Sequence, residues 1–213
     1  MKKYLFPLLC CILVSVSCVK ESTFSITNYK SFVISHDNIL SGDNGYAMTV
    51  TENSTGSETW KTPGRYYITC DILNRNFEIR LKELNPVSVM VADPISKLEK
   101  ETDDPVEIVD NSVSGGYLNL VLDYYYNPAS NYAHRINFYW EAKGSEVYLY
   151  LIHDGNGENP AAMSEESLKT REEIISVPLN EILSSGEYYV MRIVLYELNG
   201  KTIERNTYRI AGN

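Results

Sequence analysis

Only two stretches of this chain, Asn159 to Arg171 and Leu179 to Leu183, carry a helical pattern, and both are short. Crossovers between parallel strands take a dozen or more residues apiece, so a βαβ enzyme architecture is disfavoured. What remains is a series of β-prone runs cut by turn residues, the mark of an all-β protein. From Tyr29 to Ser96 the best strands are Ser31 to Ser35, Tyr46 to Thr51, Arg65 to Leu73, Asn76 to Lys82 and Val87 to Val91. The turn-rich stretches Ser41-Gly42-Asp43-Asn44-Gly45 and Leu73-Asn74-Arg75-Asn76 punctuate them. Phe77 to Lys82 alternates strictly, which presents one buried and one wet face. Five short strands fit a small barrel over residues 29–96.

A charged stretch at 97–104 is expected to be a solvated linker. Beyond it come seven candidate strands, Val106 to Val109, Tyr117 to Tyr126, Arg135 to Trp140, Glu146 to Ile152, Glu173 to Pro178, Tyr188 to Glu197 and Thr202 to Ile210. Their number and spacing fit an antiparallel β-sandwich over residues 105–213. Asn199-Gly200 is the dipeptide that favours a type I′ hairpin turn.

The N-terminus sets the compartment. Met1-Lys2-Lys3, the apolar run Tyr4 to Val14 and then Ser15-Val16-Ser17-Cys18 have the layout of a secretory signal peptide at 1–17. The run is too short to span a bilayer, which takes roughly 20 helical residues. Cys18 directly after the cut, with Ser17 and Ser15 before it, resembles the lipobox of bacterial lipoproteins. That resemblance implies diacylglycerol on the Cys18 sulfur and acylation of its amine. Each buried CH₂ is worth about 0.8 kcal/mol, so several chains make a lasting anchor in membrane lipid. The alternative is an ordinary secretory cut with Cys18 incidental. Residues 18–28 are polar and aperiodic, as suits a tether. The expected address is the cell envelope, at the outer membrane, with the face left open.

Cys10 and Cys11 leave with the signal, so an acylated Cys18 leaves Cys70 without a partner and no internal disulfide is expected. Within Tyr66-Tyr67-Ile68-Thr69-Cys70, that thiol reads as a small buried hydrophobe rather than a nucleophile. Loss of residues 1–17 removes two lysines, leaving 17 basic residues against 28 acids and a charge of −11. Such a chain repels phosphate backbones, so nucleic acid is not an expected partner.

One stretch goes further. Asp104-Pro105-Val106-Glu107-Ile108-Val109, the turn Ser114-Gly115-Gly116-Tyr117-Leu118-Asn119-Leu120 and the later His134 resemble the C-terminal domain of the NigD-like lipoproteins of Bacteroidetes. The resemblance implies an OB-like β-barrel followed by an Ig-like β-sandwich, in agreement with the strand count. It implies no activity. Independently of any family, Gly115-Gly116 permits positive φ or close backbone approach, and Tyr117 to Leu120 alternates to seat one face in a core.

Chemistry-bearing residues form no catalytic set. His36, His134 and His153 lack metal-ligand spacing, and His134 is expected to be a hydrogen-bonded core or edge residue. Asp154, Asn156, Glu158 and Glu165 partly imitate a calcium loop, but the sixth position is Asn159 rather than Gly and Pro160 follows. A polar hairpin loop explains the same residues. There is no Gly-x-Ser-x-Gly elbow and no phosphate loop or dinucleotide fingerprint. A pair of carboxylates chosen from Asp123, Glu141 and Glu146 would be arbitrary. Tyrosine is abundant, at 17 residues, and neighbouring rings such as Tyr124, Tyr125 and Tyr126 must point to both faces of a strand. The resulting expectation is a non-enzymatic envelope protein with no cofactor and no metal, which binds or assembles with an unknown protein or glycan. The alternative is a carbohydrate-binding accessory lipoprotein that uses exposed aromatics, with Trp60, Trp140 and Tyr125 as the candidate rings.

Overall fold

In the computed structural model the described residues are 24–100, 102–129, 133–158, 169–183, 188–197 and 202–211. Strands β1 (Ile26–His36), β2 (Ile39–Gly42), β3 (Ala47–Asn53), β4 (Gly64–Ile72) and β5 (Glu78–Pro86) close a barrel in the order β1-β2-β3-β5-β4. Only β3 and β5 run parallel; β1 and β4 pair antiparallel to shut the wall. This is a five-stranded OB-like Greek key. Its core follows from alternation: Ile68, Cys70 and Ile72 of β4 and Ile79 and Leu81 of β5 are buried, while Arg80 and Lys82 turn outward. Phe77 departs from the expected strand. It sits at φ +56 in the β4–β5 turn, packed against the core from there. Asp37 and Asn38, both with positive φ, make the tight β1–β2 hairpin. The ladder also starts earlier than expected, inside the 18–28 tether: Ile26 pairs with Ile72, and Asn28 N donates to Asp71 Oδ1 at 3.0 Å.

The segment after β5 belongs to the second half. Instead of a barrel strand at Val87 to Val91, β6 (Ser88–Val89) and β7 (Asp93–Pro94) add edges to the two sheets of a sandwich. The sandwich strands are β8 (Glu107–Ser114), β9 (Tyr117–Tyr126), β10 (Arg135–Lys143), β11 (Glu146–Asp154), β12 (Lys169–Pro178), β13 (Tyr188–Tyr196) and β14 (Thr202–Ala211). One sheet runs β6-β12-β9-β8 and the other β14-β13-β11-β10-β7. Neighbours pair antiparallel except β6 with β12, β7 with β10 and β11 with β13. Residues 88–94 thus cross from one sheet to the other, and Ala92 and Met90 between the two short strands pack on the shared core. Leu118, Leu120 and Leu122 of β9 meet Phe138, Leu149, Leu151 and Ile193 of the opposite sheet there.

Where residues are described, the helical expectations do not hold. Leu179 to Leu183 is a single turn, with Ile182 N and Leu183 N both donating to the Leu179 carbonyl, because three buried apolar side chains fold it onto the core. Lys169 to Arg171 belong to β12, and the rest of the other stretch, like Asn199-Gly200, lies outside the described residues.

One row on the four-stranded sheet is electrostatically unfavourable. Glu172 stands opposite Asp123, which stands opposite Glu107, so three acids line up across β12, β9 and β8 on the outer face. Like charges directly opposite destabilise a sheet. Asp123→Thr should raise the melting temperature, by about 0.5 kcal/mol of stability, with the gain shrinking as salt is added. Thermal melts at low and high ionic strength check this, and a salt-independent loss of stability would contradict it.

Candidate functional site

The Gly-Gly-Tyr-Leu turn is where the sandwich receives the barrel. Arg65, at the start of β4, forms a two-pronged pair with Asp43 of the β2–β3 turn, Nη1 to Oδ1 at 2.9 Å and Nη2 to Oδ2 at 2.6 Å. Its Nε donates to Ser176 Oγ and its Nη2 also to Asn119 Oδ1, each at 2.8 Å. Asp43 Oδ2 accepts further from Ser114 Oγ at 2.7 Å and Asn119 Nδ2 at 3.2 Å. The Tyr117 ring lies 4.0 Å from the guanidinium carbon. Both charged side chains are almost wholly buried, at 4% and 6% exposure. Burial on that scale requires pairing and full hydrogen bonding, and residues of both domains supply it. Gly115 explains itself here: its φ is +58, and a Cβ would lie 2.7 Å from Asp43 Cγ, where nothing fits.

A second buried network joins the other residues of the family-like stretch. The β10–β11 hairpin sets Ile136 opposite His153, which brings His134 beside it. His153 Nδ1 is 2.9 Å from the Pro105 carbonyl, His153 Nε2 is 2.9 Å from His134 Nδ1, and His134 Nε2 is 3.0 Å from Glu158 Oε2. A carbonyl can only accept, so His153 holds a proton on Nδ1, and one further proton is shared between His153 Nε2 and His134 Nδ1. Tyr124 stacks on His134, with ring centroids 5.0 Å apart, and lies tilted against His153 at 4.7 Å. Asp104 accepts from Gly155 N at 2.8 Å, and Thr102 Oγ1 donates to the His153 carbonyl at 2.6 Å. Burial pushes the His153 imidazole below its ordinary 6.5, as does the neighbouring His134; the Pro105 carbonyl, Asp104 and Asp154 pull the other way. Burial and the charge of Glu173 raise the Tyr124 hydroxyl to about 12. The network can hold a fixed line of protons, but it is enclosed.

Glu158 therefore faces inward rather than toward Asp154, whose Oδ1 instead accepts from Asn156 N at 2.8 Å. Glu165 lies outside the described residues. Among the described residues no group of three or more His, Cys, Asp or Glu is placed to hold a metal ion.

The open site is a cleft of about 750 Å³ on the outer face of the five-stranded sheet. Arg135, Asn137 and Tyr139 of β10 and Ile152 and Asp154 of β11 form its floor, and Lys97, Lys100 and Thr102 its rim. The tyrosine pattern extends beyond the cleft, with Tyr150 opposite Tyr139 and Tyr148 opposite Glu141. Tyr150 donates its hydroxyl to Glu141, and Tyr148 to Glu146 at 2.8 Å, so both rings are held in place. The side chains of Arg135, Asn137 and Tyr139 make no hydrogen bond or ion pair to the described residues.

The aromatic candidates read from sequence do not gather. Trp60, in the 3₁₀ turn Thr59–Lys61, is buried in the barrel core, and its carbonyl accepts from Ser35 Oγ. Trp140 lies on the inward side of β10 against the sandwich core, and Tyr125 faces out from β9 in the other sheet. A shared platform of these three is ruled out by their positions. Cys18 lies outside the described residues. Cys70 is buried and unbonded to sulfur, and desolvation, with the charge of Asp71, pushes its thiol up to about 11. The His134–His153 contact was within reach of sequence: a hairpin centred on Gly144-Ser145 places the residue before one strand next to the end of the other. Arg65 gave no such signal, because its partners lie up to 111 residues away.

Barrel, sandwich and the two networks between and within them define a two-domain all-β protein built to hold its halves in one arrangement. The profile of the NigD-like C-terminal beta sandwich domain matches residues 88–208, more than half of the chain, and the chain belongs to the NigD-like family. Among solved structures it is similar to a NigD-like immunity protein from Bacteroides caccae ATCC 43185, with 20% identity, a TM-score of 0.63 and coverage of 89% of this chain and 99% of that one. It is also similar to a protein of unknown function from Bacteroides vulgatus ATCC 8482, with 17% identity, a TM-score of 0.63 and coverage of 88% and 90%. A third, from Bacteroides fragilis NCTC 9343 and provisionally described as a lipoprotein, has 17% identity, a TM-score of 0.59 and coverage of 88% and 99%. At these identities the likeness concerns the fold. No curated protein matches the chain.

Proposed function

We propose that the chain is a lipid-anchored envelope protein that recognises a partner without catalysing a reaction, and that the cleft on the five-stranded sheet is its recognition face. The observation that carries this reading is the contrast between buried and open polar groups. Arg65 with Asp43, and His134 with His153 and Glu158, are hydrogen-bonded inside the protein, whereas Arg135, Asn137 and Tyr139 present polar groups in an open cleft. The lipobox-like run before Cys18 supports the anchor, and the description of one structural relative as an immunity protein is in keeping with a binding role. Glycan recognition is the second reading. The tyrosine ladder of Tyr139, Tyr148 and Tyr150 beside the cleft favours it in place of the dispersed tryptophans.

Two measurements test the proposal. Cys18→Ser should abolish incorporation of an alkynyl fatty acid and release the chain from the membrane fraction; unchanged labelling would refute the anchor. Cross-linking in native envelopes should capture a partner with the parent chain and lose it with Arg135→Ala/Asn137→Ala, at unchanged melting temperature. Retention of the partner would move recognition elsewhere, binding of oligosaccharide alone would select the second reading, and a saturable hydrolysis lost on changing one acid would overturn both.

A further inference from the structure

We propose that the end of the barrel at which β1 begins rests on the lipid headgroup surface, with Phe24, Ile26 and Tyr46 seated in it. The inference builds on acylation of Cys18. Phe24 follows Cys18 by six residues, and a chain of that length, fully extended, spans no more than about 20 Å. The acylated sulfur therefore holds this end of the barrel close to the bilayer in any conformation of the tether.

The strand register identifies what shares that end. Ile26 pairs with Ile72, so the start of β1 lies beside the β4–β5 turn that runs from Leu73 to Phe77. Tyr46, immediately before β3, stacks on Phe77 with ring centroids 4.4 Å apart and planes 15° apart. Phe24, Ile26 and Tyr46 are 38%, 40% and 52% exposed. Tyrosine and phenylalanine at headgroup depth bury apolar rings while the phenol stays hydrated.

Charge agrees with this orientation in a chain of net charge −9. The two turns here carry the amides Asn44, Asn74 and Asn76 and the cation Arg75. The acids in or next to these turns are occupied: Asp43 is paired with Arg65, Asp71 of β4 with Lys82 at 2.6 Å, and Glu78 of β5 accepts from Asn74 at 2.8 Å. A surface of amides and one cation meets anionic headgroups without repulsion.

Ile39 supplies the internal control. It is 45% exposed, equally apolar, and sits at the opposite end of the barrel, where it pairs with His36. The test places nitroxide labels on Phe24→Cys, Tyr46→Cys and Ile39→Cys in the full lipidated chain, on vesicles of phosphatidylethanolamine and phosphatidylglycerol. Cys70 is buried and stays unlabelled in the folded protein. The labels at 24 and 46 should lose collisions with an aqueous nickel chelate and gain them with oxygen, while the label at 39 stays in water. If all three remain equally open to the chelate on chains that float with the vesicles, this inference falls and the anchor stands. If the parent chain neither floats nor carries lipid, the anchor falls and the inference with it.

Discussion

Arg65→Met should cost the protein about 3–5 kcal/mol, the range for removing one partner of a buried ion pair. The substitution keeps the length of the side chain but leaves the Asp43 carboxylate enclosed, with Ser114 and Asn119 the remaining donors to it among the described residues. It also strips Ser176 and Asn119 of their shared donor. Because these groups come from both domains, calorimetry should show not only a lower midpoint but a barrel transition separating from a sandwich transition. Arg65→Lys should recover little, since an ammonium cannot present the planar fork that meets both Asp43 oxygens while reaching Ser176. Removing both charges together, as Arg65→Met/Asp43→Leu, should cost less than the single change, because no unpaired charge remains. A single-variant loss within about 0.5 kcal/mol of zero, the scale of an ordinary surface change, would sink this account of the junction.

Acidification should produce the second large effect, through His153. Its folded pKa lies below the unfolded value of 6.5. Between those two values the unfolded chain binds more protons, so stability rises with pH across that window. The contribution is therefore complete above pH 6.5 and is lost as pH falls toward the folded value. Structurally, an added charge on His153 would sit in a buried ring whose Nε2 lies 2.9 Å from His134 Nδ1, with burial and that neighbour both disfavouring it. Urea midpoints measured from pH 7.5 to 5.5 should fall for the parent chain. His153→Phe should be less stable at pH 7.5, because the Pro105 carbonyl and His134 Nδ1 each lose a partner, at about 1–3 kcal/mol per group. Its dependence on pH over the same range should be flatter. Equal slopes in the two proteins would assign the acid sensitivity to other groups.

The two effects come from residues whose legibility in the sequence differed. Strand alternation showed in runs such as Ile79-Arg80-Leu81, because burial on one face leaves a period of two in the residues themselves. Turn residues marked most boundaries, and the Gly-Gly-Tyr-Leu stretch pointed to the sandwich. The strand Asn76 to Lys82 lost its first two residues because a left-handed residue need not be glycine, as Phe77 shows. The second helical stretch failed because Leu179, Ile182 and Leu183 have helical spacing yet are drawn into one turn by the core. Pairings such as Arg65 with Ser176 leave no local pattern: they depend on how two finished domains meet. The scatter of the aromatic candidates over separate faces has a related cause. Composition counts rings, and only the register reveals that Tyr139, Tyr148 and Tyr150 share a face while Trp60 plugs a barrel.

The spacing of partners around Arg65 also sets an order of assembly. Asp43 lies 22 residues before it, whereas Asn119 and Ser176 follow by 54 and 111. Contacts across longer loops close later and more slowly, and the N-terminal part of a chain is made first. As the barrel emerges, Arg65 already has its carboxylate at hand within the same domain. The sandwich then docks onto a pair that is electrically neutral, and its Asn119 and Ser176 complete the hydrogen bonds without ever meeting a bare charge.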